Sequence, residues 1–155
     1  MTREELRTYI SDVYGVEPDM PWADEPSYAV FRHENNRKWF AVIMDIPKNR
    51  LGLSGDATID IVNMKCDPVL LGSLLSEPGF FRAYHMNKEK WITAVLDGSA
   101  DDEKIKLVLD LSFEATDVKL KSRKKAKAVK NNKTEETKTE SDYDNGRPEG
   151  DLERF

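Results

Sequence analysis

The sequence predicts an α+β domain in which an antiparallel sheet of about five strands carries helices on one face, in the order α-β-β-β-α-β-β-α. Three stretches with apolar residues at helical spacing alternate with runs rich in aromatic and β-branched residues. The connections are short and carry turn residues, which suits antiparallel neighbours. A chain of 155 residues is long enough for one domain with its own core and too short for two ordinary ones.

The first helix begins at a capping-box pattern, Thr2 with Glu5 three residues on, after which Leu6, Tyr9, Ile10 and Val13 fall on one face. Gly15 ends it. Pro18, Pro21 and Pro26 then exclude a regular element, and Met20 and Trp22 must pack down if this loop is ordered. Residues 27–33 and 39–46 read as a β-hairpin, separated by a turn containing Asn35 and Asn36, which tolerate positive φ. A second connection holds Gly52 and Gly55, and Ile59, Ile61, Val62 and Met64 define a third strand that completes a meander.

Asp67 as N-cap with Pro68 in the first turn opens the second helix, whose buried stripe is Leu70, Leu71, Leu74 and Leu75, and Pro78-Gly79 stops it. Residues 80–86 and 91–96 form two further strands, and Asp97-Gly98 turns the chain out of the sheet. Ser99 with Asp102 is a second capping-box pattern, ahead of a helix carrying Ile105, Val108, Leu109 and Ser112 and ending between Phe113 and Val118. From about Lys121 the chain has almost no large apolar residue until Leu152 and Phe155. The reading is therefore a domain over 1–120 and a disordered charged tail over 121–155.

Charge is unevenly distributed. Residues 1–120 hold 14 Lys/Arg against 21 Asp/Glu, and residues 121–133 hold seven basic side chains and no acid. Beyond 133, three basic residues face eight acids. An acidic body excludes a nucleic-acid contact spread over a broad face, so any such contact is local. Lone Cys66 excludes an internal disulfide, and the chain shows neither a bilayer-spanning apolar run nor a basic-then-apolar N-terminal segment. A soluble, cytoplasmic, monomeric protein without a membrane partner is expected.

The stretch 84–93 packs His85, Asn87, Lys88, Lys90 and Trp91 into one bend between apolar runs. It offers a ring that titrates near neutrality, amide groups, cations and an aromatic surface, without a catalytic partner nearby in sequence. Trp91 reads as a core anchor because it opens an apolar strand, and His85 reads either as a titrating contact or as a histidine bonded at the sheet edge. His33 and His85 lack the spacing of a zinc pair, and no glycine-flanked serine or phosphate loop is present. The carboxylates of the first helix and its following loop read as a solvated face, so neither a metal nor a cofactor is expected. Two basic clusters remain at the hairpins, Arg32, Arg37 and Lys38 in one and Arg82, Lys88 and Lys90 in the other. Either ordinary surface charge or a phosphate clamp accounts for them.

These residues together resemble the MmcQ/YjbR family from about residue 1 to residue 120. The matching motifs are Met20-Pro21-Trp22-Ala23-Asp24-Glu25-Pro26-Ser27-Tyr28, Phe31-Arg32 followed by Lys38-Trp39-Phe40-Ala41, Lys65-Cys66-Asp67-Pro68, Tyr84-His85-Met86-Asn87-Lys88, Trp91-Ile92-Thr93 and Leu96-Asp97-Gly98. The resemblance implies a fold similar to the bacterial frataxin homologue, a CyaY-like arrangement, and a non-enzymatic DNA-binding module whose hairpins act as a double wing. On that reading Arg32, Arg37, Lys38, Arg82, Lys88 and Lys90 meet phosphates while His85 and Asn87 orient the loop. The alternative is a protein- or small-ligand-binding module with a groove formed by Trp22, Tyr28, His85, Asn87 and Trp91. The segment 47–60 is long for the family, and the tail has no counterpart in its shorter members.

Overall fold

The computed structural model describes residues 1–117; the boundary expected at 120 and the segment 121–155 lie outside them. Three helices and five strands follow the expected order: α1 (Arg3–Tyr14), β1 (Ala29–Arg32), β2 (Trp39–Pro47), β3 (Thr58–Lys65), α2 (Pro68–Leu74), β4 (Phe80–Arg82), β5 (Trp91–Val95) and α3 (Asp102–Ala115). The strands form one antiparallel sheet in the order β1-β2-β3-β5-β4. β5 thus inserts between β3 and β4, and its pairing with both neighbours places it inside the sheet.

Local chemistry sets the element ends. The Thr2 hydroxyl accepts from the Glu5 amide, and the Glu5 carboxylate accepts from the Thr2 amide, so α1 starts with a reciprocal capping box. Gly15 ends it at φ 69, the left-handed conformation that costs glycine least. The Asp67 carboxylate caps α2 through the Leu70 amide, and a single 3₁₀ turn, Lys48–Leu51, starts the β2–β3 connection. The expected capping box at Ser99 is not what forms. The Asp97 carboxylate takes both the amide and the hydroxyl of Ser99, tightening the turn, and α3 starts from Asp101 without a side-chain cap.

Both faces of the sheet are covered, by different means. On one face, Leu6 and Ile10 of α1 and Ile105, Val108 and Leu109 of α3 pack against Phe31, Phe40, Ile43, Val62 and Ile92. Leu6 and Ile10 are fully buried, and each such side chain contributes about 1.5–3 kcal/mol. The opposite face has no helix. There Tyr28, Val30, Trp39, Val42, Met44, Ile61, Ala83, Met86, Trp91 and Val95 form a second cluster, closed by Trp22, Leu51, Leu53 and Tyr84 from the connections. Helices on one face are as expected, and a second core under loops is an addition to that expectation. Met20, expected to pack down with Trp22, stays 46% exposed.

Candidate functional site

Antiparallel pairing decides which loops meet. β1 and β3 run outward to Arg32 and Lys65, β4 runs outward to Arg82, and β2 and β5 return from Trp39 and Trp91. Connections 33–38 and 83–90 therefore leave the same end of the sheet, with Lys65 and Cys66 between them. The midlines of the two hairpins lie three strand spacings apart, about 14 Å. All six basic residues singled out from the sequence belong to this end.

The first hairpin is anchored more firmly than its composition suggests. Arg37 adopts φ 63, and the Asn36 carboxamide accepts from the Lys38 amide while donating to the Thr116 carbonyl at the end of α3. Arg32 Nε meets the Asp19 carboxylate at 2.7 Å, and Arg37 reaches the same carboxylate at 3.9 Å. One acid therefore offsets part of the charge of both arginines. Arg37 still presents a largely exposed side chain, whereas Lys38 is only 3% exposed. Lys38 accordingly does not stand out at the hairpin tip as a phosphate contact: the chain packs it inward beside Trp39.

Next to it, His33 is a joint between sheet and helix that its sequence position did not announce. Its Nε2 lies 3.0 Å from the Phe113 carbonyl and 2.8 Å from Thr116 Oγ1. A carbonyl only accepts, so Nε2 carries the proton. Burial lowers the pKa of His33, which keeps the ring neutral. Ser112 extends the joint, donating to the Phe40 carbonyl and accepting from the Lys65 amide. A cleft of about 350 Å³ opens beside this joint, lined by Tyr14, Val16, His33, Glu34, Phe113 and Asp117. Its main polar groups are committed elsewhere, Tyr14 to Asp110 and His33 to α3.

Connection 83–90 is pinned by a ring of polar contacts. Thr93 accepts from the Tyr84 amide at 3.0 Å and donates to the Asn63 carboxamide oxygen, while Asn63 Nδ2 donates to the Tyr84 carbonyl at 3.1 Å. Asn63 and Thr93 are fully buried, and their bonds hold the start of the connection to the sheet. The expected strand 80–86 therefore stops at Arg82, and His85 enters the left-handed region at φ 58. Asn87 shapes the tip: its side-chain oxygen accepts from the Glu89 amide and its carbonyl from the Trp91 amide. Arg82, Asn87 and Lys88 are exposed, whereas His85 and Lys90 are half-buried.

The aromatic grouping read from the sequence is divided. Trp91 is 1% exposed, a core anchor as expected, and Tyr28 is buried with its hydroxyl pushed up to about 12 by burial and the nearby Glu25 charge. Trp22 is half-buried, edge-on to Tyr28 at 6.0 Å and to Trp39 at 5.8 Å. The Tyr84 and His85 rings lie 4.0 Å apart, while Asn87 stands at the tip away from this packing. Two members of the neighbourhood were missed, Trp39 and Lys65. Lys65 continues the phase of Ile59 and Ile61 onto the loop-covered face and carries its ammonium 5.5 Å from the Trp91 ring. Lys65 could have been found from that alternation; Trp39 could not, because the shift in the β1–β2 register breaks the alternation there.

The model of the YjbR family matches residues 11–115. The chain belongs to the YjbR family. Among YjbR relatives, it is 38% identical over 116 residues to "Uncharacterized protein YyaQ" of Bacillus subtilis (strain 168), covering 75% of this chain and 98% of that protein. A crystal structure of a Pseudomonas syringae protein is 44% identical, spans 76% of this chain and 100% of that one, and superposes with a TM-score of 0.74. A solution structure from Pseudomonas syringae, also 44% identical, covers 76% of this chain and 94% of that one with a TM-score of 0.69. A Deinococcus radiodurans protein at 21% identity, covering 72% of this chain and 75% of that one, shares the fold with a TM-score of 0.54. Among the described residues of this YjbR chain, no group of three His, Cys, Asp or Glu converges as metal ligands, and no helix is long and apolar enough to cross a membrane. Cys66 is buried, and burial beside the Asp67 charge pushes its thiol up to about 11, which makes it a poor nucleophile.

Proposed function

We propose that this protein is a non-enzymatic module that holds duplex DNA by its phosphate backbone, using its two hairpin ends as paired wings. The observation that carries this reading is the common origin of connections 33–38 and 83–90 at one end of the sheet, about 14 Å apart. That spacing is comparable to a major groove about 12 Å wide, so the two tips meet the phosphates on either side of it. Arg37 and Arg32 serve one side, held in register by Asp19. Arg82, Lys88 and Lys90 serve the other, on a loop whose shape Asn87 and His85 maintain. Phosphate contacts of this kind position the protein without reading bases. The acids elsewhere on the body limit contact to this end.

Binding of labelled duplex by the full chain, followed by fluorescence anisotropy through a salt series, tests the reading. Engagement of about four phosphates gives a slope of log affinity against log salt near −3.6. Lys88→Ala with Lys90→Ala lowers the affinity and flattens the slope by about 2. Because residues 121–133 add their own attraction, the difference between the two slopes isolates the hairpin. Absence of binding at low salt, or equal slopes for the two proteins, refutes the proposal.

A further inference from the structure

The loop-covered face carries two buried donors that the described residues do not satisfy. Trp39 and Trp91 are 3% and 1% exposed, and the indole N–H of each is buried without an acceptor among the described residues. Leaving one such group unpaired costs about 1–3 kcal/mol, and most buried polar groups find a partner. Two orphans in one small region therefore point to an acceptor supplied from outside the described chain.

The register shows that the two indoles and a cation share one level. β2 pairs Ala41 with Met64, which brings Trp39 level with the end of β3, and β5 pairs Trp91 with Lys65. Trp39, Lys65 and Trp91 thus sit in a row across β2, β3 and β5, the outer two separated by two strand spacings, about 9.6 Å. All three belong to the loop-covered face, with the Lys65 ammonium 5.5 Å from the Trp91 ring. Half-buried Trp22 meets Trp39 edge-on and marks the side from which solvent reaches the row. An indole N–H and an ammonium are donors without acceptor capacity. Their common partner is an acceptor with negative charge.

We propose that this row is a binding site for a small oxyanion, a carboxylate or a phosphate, which accepts from the Trp39 and Trp91 indoles and is charge-compensated by Lys65. The site is independent of the DNA reading, because it needs the sheet face and not the exposed hairpin tips. In the bound state both indoles gain charge-assisted hydrogen bonds.

The chain contains three tryptophans, so proton–nitrogen correlation spectra of the labelled full chain contain three indole signals, assigned by single Trp→Phe substitutions. Sodium phosphate and sodium acetate are titrated separately at ionic strength held constant with chloride. The expected result is a saturable shift of the Trp39 and Trp91 signals with one shared midpoint in at least one arm. The responding arm identifies phosphate or carboxylate as the ligand chemistry. Lys65→Met, with its fold verified from the amide spectrum, weakens the midpoint about tenfold. Shifts that match the chloride control, or signals that stay fixed in both arms, overturn the proposal, and the wild-type titration decides this even if the variant does not fold. Salt-sensitive DNA binding with fixed indole signals removes the oxyanion site and leaves the hairpin reading standing.

Discussion

Thr93→Val tests whether the buried polar ring, rather than the apolar packing around it, holds connection 83–90 to the sheet. The replacement keeps the shape of the side chain and removes only the hydroxyl, so it opens no cavity. Two interactions are lost. The Asn63 carboxamide oxygen, fully buried, loses its donor, and the Tyr84 amide loses an acceptor at 3.0 Å. A buried acceptor left without its donor costs about 1–3 kcal/mol, and an ordinary hydrogen bond contributes about 0.5–1.5 kcal/mol. The expected destabilisation is about 2–4 kcal/mol, a large share of the 5–15 kcal/mol typical of a domain. Urea unfolding with an unchanged m-value measures it, and faster hydrogen exchange of the Tyr84 amide locates it. Combining Thr93→Val with Asn63→Leu should cost at least about 1 kcal/mol less than the sum of the single changes, since both remove the same network. A loss below about 0.5 kcal/mol for Thr93→Val, or strict additivity in the double variant, refutes the assignment.

Two further outcomes follow from the geometry. Gly79 has φ 82, and a Cβ placed there would meet the Ala100 backbone at 2.5 Å, so Gly79→Ala should destabilise by about 2–5 kcal/mol in thermal or urea unfolding. Gly98, at φ 96 with open space around it, is the control: Gly98→Ala carries the conformational cost alone, about 1–3 kcal/mol, and equal losses at the two sites would refute the steric account. His33 sets a pH dependence. Its folded-state pKa lies below the ordinary 6.5 because burial opposes the charged ring, so the unfolded chain takes up the proton first as pH falls. Stability present above about pH 6.5 is then lost on acidification until the folded ring also protonates. In unfolding curves recorded between about pH 7 and pH 5, His33→Asn should show a shallower decline than wild type, and parallel declines would exclude His33 as the cause.

Much of the fold was legible because local rules sufficed. Thr2 with Glu5, Gly15, and Asp67 with Pro68 specify helix ends through bonds made within a few residues, and all three ends form as read. Where a local signal had a nearby competitor, the reading failed: the Asp97 carboxylate is two residues from Ser99 and captures it before a cap can form. Charge was readable as a count but not as an arrangement. Nothing near Arg32 or Arg37 in sequence indicates that Asp19, brought alongside Val30 by a backbone bridge, pairs with both.

By itself, the sequence determined the order of elements, the antiparallel sheet with helices on one face, and family membership, because periodicity, capping and motif spacing are properties of neighbouring residues. Tertiary structure decided everything that depends on long-range pairing. It brought the two hairpins to one end of the sheet, packed Lys38 inward and joined His33 to α3 across 83 residues through Thr116. It also set Trp39, Lys65 and Trp91 side by side. The physical reason is that strand order and register follow from how the whole chain buries its apolar surface and satisfies its backbone bonds, and no short segment contains that information.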